Sequence, residues 1–343
     1  MRYDFETELS KVLNSECTIS DKVRTSIDNA YESIRKKNKR KKYFKNTIAA
    51  AMCLLMVCAI LSNDVIASVI KSFLNFNDKG IETAINNGYI NRTESETTNN
   101  DISIKLQSYF ADSNKIGISF KIKIEDLSLL KGDIEKIYLS YSIIDKNGNY
   151  IGQSGYTEEE NLNIKKSIIS SIEDKFELLN LENGEIQYDT ILESCDSSIP
   201  KIEEAVIKVD KVNILYKNNK TSIKGNWTLK LIQNNFEYVK EYNYSALNSI
   251  PNIDIVSIKA EPTSLNIIFN VNQVYENKEF PIDNLILIDE NGNEYKTNIC
   301  SMNTNDGKTT ISTNFKISSY EEHKLLKLII PNYGQIKLQK KIN

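Results

Sequence analysis

The sequence predicts a mainly β protein, with two tandem immunoglobulin-like β-sandwiches preceded by a short helical segment and one transmembrane helix. Three observations lead to this prediction. Residues 46–63 form an 18-residue stretch without a charge. After residue 100 the pattern changes from helical spacing to alternation of apolar and polar residues, which is typical of strands. The turn sequence Asp-x-Asn-Gly-Asn also occurs twice, about 145 residues apart, which indicates a repeat.

The composition is that of a globular protein and excludes several functions. Of the 343 residues, 40% are hydrophobic and 26% are charged, and the net charge of -3 argues against a nucleic-acid-binding protein. A single histidine, His323, leaves little room for acid–base chemistry or metal binding. It lies among charged residues, so we expect it at the surface.

Residues 1–45 are predicted to be a cytoplasmic helical segment, because the chain has no glycine before Gly80 and no proline before Pro200. Apolar residues at helical spacing form one stripe on each of two short helices. The stripes either bury each other in a marginal helical hairpin or dock in a groove on a partner. As candidate partner-binding residues we take Phe5, Leu9, Val12, Leu13, Val23, Ile27 and Ile34.

A basic cluster closes this segment, with eight cations and no acid among residues 35–45. We expect these residues to lie on the anionic lipid of the inner membrane leaflet, which attracts each cation by about 1 kcal/mol. A nucleic-acid interaction is the weaker interpretation. The candidate membrane-surface residues are Arg35, Lys36, Lys37, Lys39, Arg40, Lys41, Lys42 and Lys45.

Residues 46–66 are predicted to be the transmembrane helix. Its 18 uncharged residues would span about 27 Å as a helix, close to the apolar thickness of a bilayer. The alternative is a buried core helix. Residues 1–45 have a net charge of +5 and the remainder has -8. By the positive-inside rule the N-terminus is cytoplasmic and the C-terminal domains are extracytoplasmic, in a single-pass cell-membrane protein.

Residues 67–100 are predicted to be a membrane-proximal helix and a connector. The segment at 78–90 is a short helix closed by Gly88, and residues 91–100 are polar. Residues 101–245 then form the first β-sandwich, with strands at 175–181, 185–192, 205–216 and 223–233. Trp227 is expected to pack in its core rather than to form a ligand platform.

Residues 246–343 form the predicted second β-sandwich, since they repeat the order of strands that leads to the first Asp-x-Asn-Gly-Asn turn. We interpret Asp145–Asn149 and its counterpart at 289–293 as hairpin turns with glycine at positive φ, not as calcium loops, since the EF-hand glutamate is missing. Cys195 and Cys300 fall in different predicted domains, and the sequence leaves open whether they form a disulfide.

No catalytic constellation is visible in the sequence. It has no Gly-x-Ser-x-Gly, P-loop, Gly-x-Gly-x-x-Gly or Cys-x-x-Cys motif, and Cys17 has no neighbouring histidine or cysteine with which to bind zinc. We therefore expect a protein that is not an enzyme, with no cofactor and no metal site.

Several of these segments together resemble a known family. The basic cluster, the span and the sequence DKGIETAINNGYI before the strands resemble bacterial anti-sigma-factor-like membrane proteins of the domain of unknown function 4179 type. Gly225-Asn226-Trp227 is similar to the Gly-x-Trp element of those proteins. Residues 253–295 resemble a second uncharacterised β domain that often follows.

The resemblance implies that the N-terminal segment holds an extracytoplasmic-function sigma factor at the membrane. It also implies that the ectodomain senses an envelope signal and triggers release, with regulated proteolysis as one route. The alternative function is a membrane-anchored surface protein whose β-sandwiches bind cell wall or an extracellular partner. The sequence leaves the extracellular ligand or protease open.

Overall fold

The computed structural model describes residues 72–156, 168–195, 197–231, 240–275, 280–297 and 300–341. Residues 72–343 form one compact unit, separate from residues 1–71. The predicted cytoplasmic segment and the predicted transmembrane helix at 46–66 therefore lie outside the described residues. Among the residues that are described, no helix is long and apolar enough to cross a membrane.

The fold is mainly β, as predicted. Residues 72–74 are helical, and helix α1 spans Lys79–Asn86. Short 3-10 helices follow at Leu127–Leu130, Ile282–Asn284 and Ser319–Glu321. The strands are β1 (Asn91–Arg92), β2 (Glu96–Asn99), β3 (Ile102–Ala111), β4 (Lys115–Ile124), β5 (Ile134–Ile144), β6 (Tyr150–Ser154), β7 (Ser171–Asn180), β8 (Glu185–Glu193), β9 (Val206–Tyr216), β10 (Lys220–Lys230), β11 (Tyr242–Ala246), β12 (Ile253–Ala260), β13 (Leu265–Val271), β14 (Ile286–Asp289), β15 (Glu294–Lys296), β16 (Cys300–Asn305), β17 (Lys308–Phe315), β18 (Leu325–Ile330) and β19 (Gly334–Lys340).

The N-terminal β region, residues 91–231, consists of two antiparallel sheets. One sheet has the order β1-β3-β4-β8-β7, with β2 also paired to β3, and the other has the order β10-β9-β5-β6. Buried residues of both sheets, such as Phe120 on β4 and Leu139 on β5, belong to one hydrophobic core. The two sheets therefore face each other across that core.

The C-terminal β region, residues 240–341, is built from one continuous path of strands, β15-β14-β18-β19-β11-β12-β13-β17-β16. Strand β11 pairs with β12 through Tyr242 and Asn243 and with β19 through the residues that follow. It thereby joins two halves whose buried residues, such as Phe269 and Leu328, share a second hydrophobic core. This strand spans the predicted domain boundary between residues 245 and 246.

The two β regions have the same strand order. In the N-terminal region, β3-β4-β8-β7 and β10-β9-β5-β6 are the two four-strand paths; in the C-terminal region, β12-β13-β17-β16 and β19-β18-β14-β15 follow the same succession. The first strand pair of each region has an irregularity at the same place, between Leu106 and Ser108 and between Ile255 and Ser257. The repeat that the turn sequences indicated is thus a repeat of topology.

The two repeated turns have the same hydrogen-bond pattern. Asp145 Oδ1 accepts from the backbone N–H groups two and four residues later, both at 2.8 Å, and Oδ2 accepts from the side-chain amide four residues later at 2.9 Å. Asp289 accepts the same three bonds at 2.8, 2.9 and 2.7 Å. Gly148 and Gly292 follow with φ of +83° and +87°. Both segments are hairpin turns, as predicted.

Trp227 is fully buried in the N-terminal core, as predicted, and its indole Nε1 donates to the Ile102 carbonyl oxygen at 2.8 Å. The strand pairing shifts register between Lys224 and Trp227, which brings Gly225 under the indole ring. A Cβ atom at Gly225 would lie 2.2 Å from a ring carbon. The Gly-x-Trp element is therefore a packing unit in which glycine makes room for the ring.

Candidate functional site

A site of buried polar and charged side chains lies where the two β regions meet. Residues 72–90, which we call the strap, connect the predicted membrane span to β1 and cross this junction. The strap contacts both β regions.

The strap contains helix α1, and the sequence specifies both helix ends. Asp78 is the N-cap, and its Oδ1 accepts from the Ile81 N–H at 3.1 Å. At the other end Gly88 has φ of +84°, and the N–H groups of Gly88 and Tyr89 bond back to the carbonyls of residues 85 and 84. This is the Schellman motif that the glycine predicts. The buried face of the helix consists of Gly80, Ile81, Ala84 and Ile85.

On the N-terminal β region, the strap packs mainly through aromatic rings. Phe73 is fully buried and meets Phe110 of β3 edge-on, with 5.1 Å between ring centroids. The ammonium of Lys175 on β7 lies 4.7 Å from the Phe76 ring centroid and also donates to the carbonyl of residue 75. The Tyr89 hydroxyl donates to the Ala111 carbonyl at the end of β3. The strap therefore covers the outer face of this sheet.

On the C-terminal β region, the strap is held by backbone contact and hydrogen bonds. Gly80 packs so closely on the Thr263 carbonyl that a Cβ atom there would lie 2.1 Å from the oxygen. The Thr83 hydroxyl donates to Glu321 Oε1 at 3.2 Å. Lys316 Nζ donates to the carbonyl of residue 77 at 3.4 Å. Helix α1, whose N-cap is Asp78, therefore packs against the C-terminal β region.

A buried charge cluster lies under the N-terminus of the helix. Lys115, at the start of β4, is 1% exposed, and its Nζ lies 2.6 Å from Asp78 Oδ2 and 3.8 Å from Glu193 Oε1 at the end of β8. Burial by itself lowers the pKa of Lys115, but the neighbouring Glu193 and Asp78 carboxylates outweigh it and raise the pKa. Burial raises the pKa of Glu193, against the opposing effect of Lys115.

The cluster connects four segments that are far apart in sequence. Asp78 is supplied by the strap, and Lys115 and Glu193 come from two neighbouring strands of the N-terminal region. Asn314 of the C-terminal region donates from Nδ2 to Glu193 Oε1 at 2.8 Å. A buried ion pair costs several kcal/mol per ion in desolvation, so removing one partner is strongly destabilising. The cluster therefore makes the strap's position depend on both β regions.

The two regions also bond directly across the junction. Asp112, which is half-buried in the loop between β3 and β4, accepts from the Thr263 N–H at 2.8 Å and from its hydroxyl at 2.6 Å. Burial raises the pKa of Asp112, and these hydrogen bonds oppose that effect. Next to it, Asn114 Nδ2 donates to Ser264 Oγ at 2.9 Å. The turn between β12 and β13 is thus pinned to the N-terminal region.

A second set of bonds joins the regions at Cys195, which follows β8. Asn266 Nδ2 donates to the Cys195 carbonyl at 3.1 Å, and the Ser312 hydroxyl donates to the same oxygen. Asn314 Nδ2 also donates to the Ser194 carbonyl at 2.8 Å. The side-chain hydrogen bonds described across the junction join polar groups, several of which are buried. The two hydrophobic cores stay separate.

A buried carboxyl flanks the junction on the C-terminal side. Glu261 is 1% exposed and pairs with Lys259 through Oε1. Burial, then the nearby Asp112 charge, raise the pKa of Glu261 to about 7. Its neighbour Tyr89, on the strap, has a pKa raised by burial and by the charges of Asp112 and Glu261.

His323 is buried, so its predicted surface position is wrong. Its Nε2 lies 3.4 Å from Glu321 Oε2, and its Nδ1 lies 3.3 Å from Glu290 and 3.8 Å from Asp289. The 3-10 helix at 319–321 folds the chain inward, and three carboxylates then compensate for burying the ring. The hydrogen bond with Glu321 is the largest cause of a raised pKa for His323. Glu321 in turn accepts from Thr83 of the strap.

The candidate residues taken from the sequence lie elsewhere. All seven partner-binding residues and all eight membrane-surface residues fall within residues 1–71, outside the described part of the chain. In the described ranges, no group of three or more His, Cys, Asp or Glu side chains is arranged to hold a metal ion. The junction was not predicted, because its partners are up to about 240 residues apart and no local pattern reports which faces meet.

The comparisons with known proteins agree with one part of the sequence analysis. Residues 38–124 match a family described as Domain of unknown function (DUF4179). This match confirms the resemblance to that family over the basic cluster, the predicted span, the strap and strands β1 to β4. No curated protein sequence matches the chain.

Among solved structures, the chain is similar to the crystal structure of the conserved domain protein from Bacillus anthracis. The two share 16% sequence identity, and the alignment covers 74% of this chain and 90% of the other, with a TM-score of 0.44.

Proposed function

We propose that this protein is a single-pass membrane regulator of the anti-sigma-factor type and not an enzyme. Its N-terminal helices sequester an extracytoplasmic-function sigma factor, and its β ectodomain senses an envelope signal. The DUF4179 match supports this proposal, because it begins in the basic cluster, runs through the predicted span and ends in β4. The matched family unit therefore includes both the predicted membrane anchor and the first strands of the ectodomain.

The observation that carries the proposal is the burial of the strap. A protein that only needs an anchor is served by an exposed, polar linker between membrane and domain. Here the chain that leaves the predicted span is instead packed, with Phe73 and Phe76 buried on one β region and Ile81 buried in the helix that rests on the other. A signal receptor requires such an attachment, because a change in the ectodomain has to reach the membrane span.

We further propose that the two β regions are immunoglobulin-like. The strand order β3-β4-β8-β7 and β10-β9-β5-β6 corresponds to the order A-B-E-D and G-F-C-C′ of that fold. The C-terminal region has the same order. Domains of this kind commonly bind other proteins through loops or edge strands, which suits an ectodomain that receives an extracellular signal.

The test is affinity capture with the full-length protein, solubilised from native membranes and analysed by mass spectrometry. We expect one sigma factor to be recovered with the wild type and lost with Leu9→Asp or Ile27→Asp, since a charge on the apolar stripe opposes docking. Leu181→Asp, at an exposed ectodomain position, is the control and retains capture. Membrane insertion is checked for each variant by protease accessibility.

Recovery of the same sigma factor by Leu9→Asp and Ile27→Asp contradicts the proposed partner face. Recovery of no sigma factor by the wild type contradicts the sequestering function. The surface-protein alternative then gains support, and the β regions become the place to look for a cell-wall or extracellular ligand.

A further inference from the structure

We propose that the strap is a latch: it stays in place only while the two β regions are bonded to each other, and their separation frees it. This inference rests on the proposed function, because a freed strap alters the restraint on the membrane span that precedes it. Three properties of the junction support the latch. The strap contacts both β regions, hydrogen bonds between polar groups join the two regions, and a buried charge cluster connects the strap to those bonds.

First, neither β region alone supplies the strap's binding site. The aromatic residues Phe73 and Phe76 rest on the N-terminal region, through Phe110 and Lys175. Helix α1 rests on the C-terminal region, where Gly80 touches the Thr263 carbonyl. A segment bound to two bodies is held at both ends only while the bodies keep their relative position. Moving them apart removes one half of its contacts.

Second, the junction is of a kind that can open. The hydrogen bonds that cross it, such as Asp112 with Thr263 and Asn114 with Ser264, join polar groups that water can satisfy once the regions separate. The two hydrophobic cores remain intact on either side. Interfaces between domains that are polar in this way permit relative motion, whereas a shared apolar core does not.

Third, the buried charge cluster ties the strap to the junction. Lys115 is enclosed between Asp78 of the strap and Glu193, and Glu193 accepts from Asn314 of the C-terminal region. If the regions separate, Glu193 loses this donor and water reaches the cluster. Solvation weakens the Coulomb attraction between Lys115 and Asp78, which holds the N-terminal end of α1. Opening and release are therefore coupled through a named chain of contacts.

The test measures hydrogen–deuterium exchange of the strap in the full-length protein in detergent micelles. The decisive variant is Asn266→Ala, because Asn266 bonds across the junction to Cys195 but makes none of the described contacts with the strap. We expect the amides of residues 78–90 to exchange about tenfold faster or more in this variant, through local opening. Asn314→Ala is a second variant with the same expectation.

The matched control is Asn270→Ala. Asn270 lies on the same strand, β13, and accepts a side-chain hydrogen bond of 2.8 Å from Thr310 within its own region. Its loss removes a comparable bond without touching the junction, so strap exchange stays at the wild-type rate. Amides of β4 and β13 report global unfolding and are expected to exchange at the same rate in all variants.

Two results overturn the latch. One is strap exchange in Asn266→Ala and Asn314→Ala that equals the wild type. The other is strap exchange that rises only together with that of β4 and β13, which is global unfolding. Each of these results would contradict the latch whether or not the wild type captures a sigma factor. Conversely, faster strap exchange together with no sigma factor captured supports the latch and contradicts the proposed function.

Discussion

Asp78 and Lys115 form an ion pair of 2.6 Å in which the side chains are 7% and 1% exposed. Asp78 pairs with Lys115 through Oδ2, and its other carboxylate oxygen, Oδ1, caps helix α1. The residue that starts the helix is therefore also the residue that fixes the strap to β4. This double role explains why a short helix of eight residues, which is marginal alone, is stable here.

Replacing Lys115 by methionine is expected to destabilise the fragment 72–343 by about 3–5 kcal/mol, because Asp78 and Glu193 remain buried without a cation. The measurement is the free energy of unfolding in urea. Lys121→Met is the matched control. Lys121 also lies on β4 and pairs with a glutamate of β8, Glu185, at 2.8 Å, but the side chains are 33% and 27% exposed.

The control is expected to cost about 1 kcal/mol or less, as is usual for exposed pairs. Equal losses in the two variants would contradict the assignment of the Lys115 cluster as a structural centre of the junction.

Gly225→Ala tests the packing account of the Gly-x-Trp element. The added Cβ overlaps the Trp227 ring, so the ring or the bulge has to move, and we expect a loss of about 1–3 kcal/mol. Asn226→Ala, between them and exposed, is expected to change stability by less than about 0.5 kcal/mol. Near-UV circular dichroism reports the Trp227 environment, and an unchanged spectrum with full stability in Gly225→Ala would refute the account.

The elements that the sequence predicted correctly are those specified by local pattern. The alternation in 185–192 marks β8, the Asp-x-Asn-Gly-Asn turns recur with the same hydrogen bonds, and Gly88 ends the helix where a C-terminal glycine should. Each depends on residues within about ten positions of one another. Local rules suffice for such features.

The features that were missed depend on which distant faces meet. Lys115 is one of three lysines in β4, and the alternation of the strand does not distinguish it from Lys121 and Lys123, which stay partly exposed. The partners, Asp78 and Glu193, lie 37 and 78 residues away. His323 was assigned to the surface because its neighbours in sequence are charged. In the fold only Glu321 of these neighbours turns toward the ring, and Glu290 from the turn after β14 joins it, which makes the burial possible.

Glu261 predicts a pH dependence of stability. Its pKa of about 7 in the folded protein is above the ordinary value of 4.5, so folding takes up a proton between these values. Stability therefore falls as pH rises from about 4.5 through about 7 and stays lower above. In Glu261→Gln this loss is absent, and we expect the variant to gain up to about 3 kcal/mol relative to wild type between pH 5 and pH 8.

The control for this prediction is Glu241→Gln. Glu241 is the other carboxylate on Lys259, at 3.0 Å, but it is exposed. The stability of Glu241→Gln relative to wild type is expected to be the same at pH 5 and at pH 8. A pH-independent difference for Glu261→Gln as well would show that the buried carboxyl titrates near its ordinary value.

His323 predicts a second pH dependence of stability, which is caused by neighbouring carboxylates rather than by burial. Glu321, Glu290 and Asp289 face its ring and raise its pKa above 6.5, so the folded state binds the proton more tightly than the unfolded state. The resulting stabilisation is fully present below about pH 6.5 and is lost as pH rises through the folded pKa. We therefore expect the wild type to exceed His323→Gln in stability by more at pH 5.5 than at about pH 9.

The difference between the two proteins is measured by urea unfolding at each pH, so that other titrating groups cancel. Glu321→Gln removes the largest cause of the raised His323 pKa and is expected to reduce the pH dependence. Thr83→Val removes the strap's bond to Glu321 but is expected to leave the pH dependence unchanged. A difference between wild type and His323→Gln that does not change with pH would contradict the prediction. It would mean that the folded and unfolded states bind the proton equally well, so that the three neighbouring carboxylates only offset the burial of the ring.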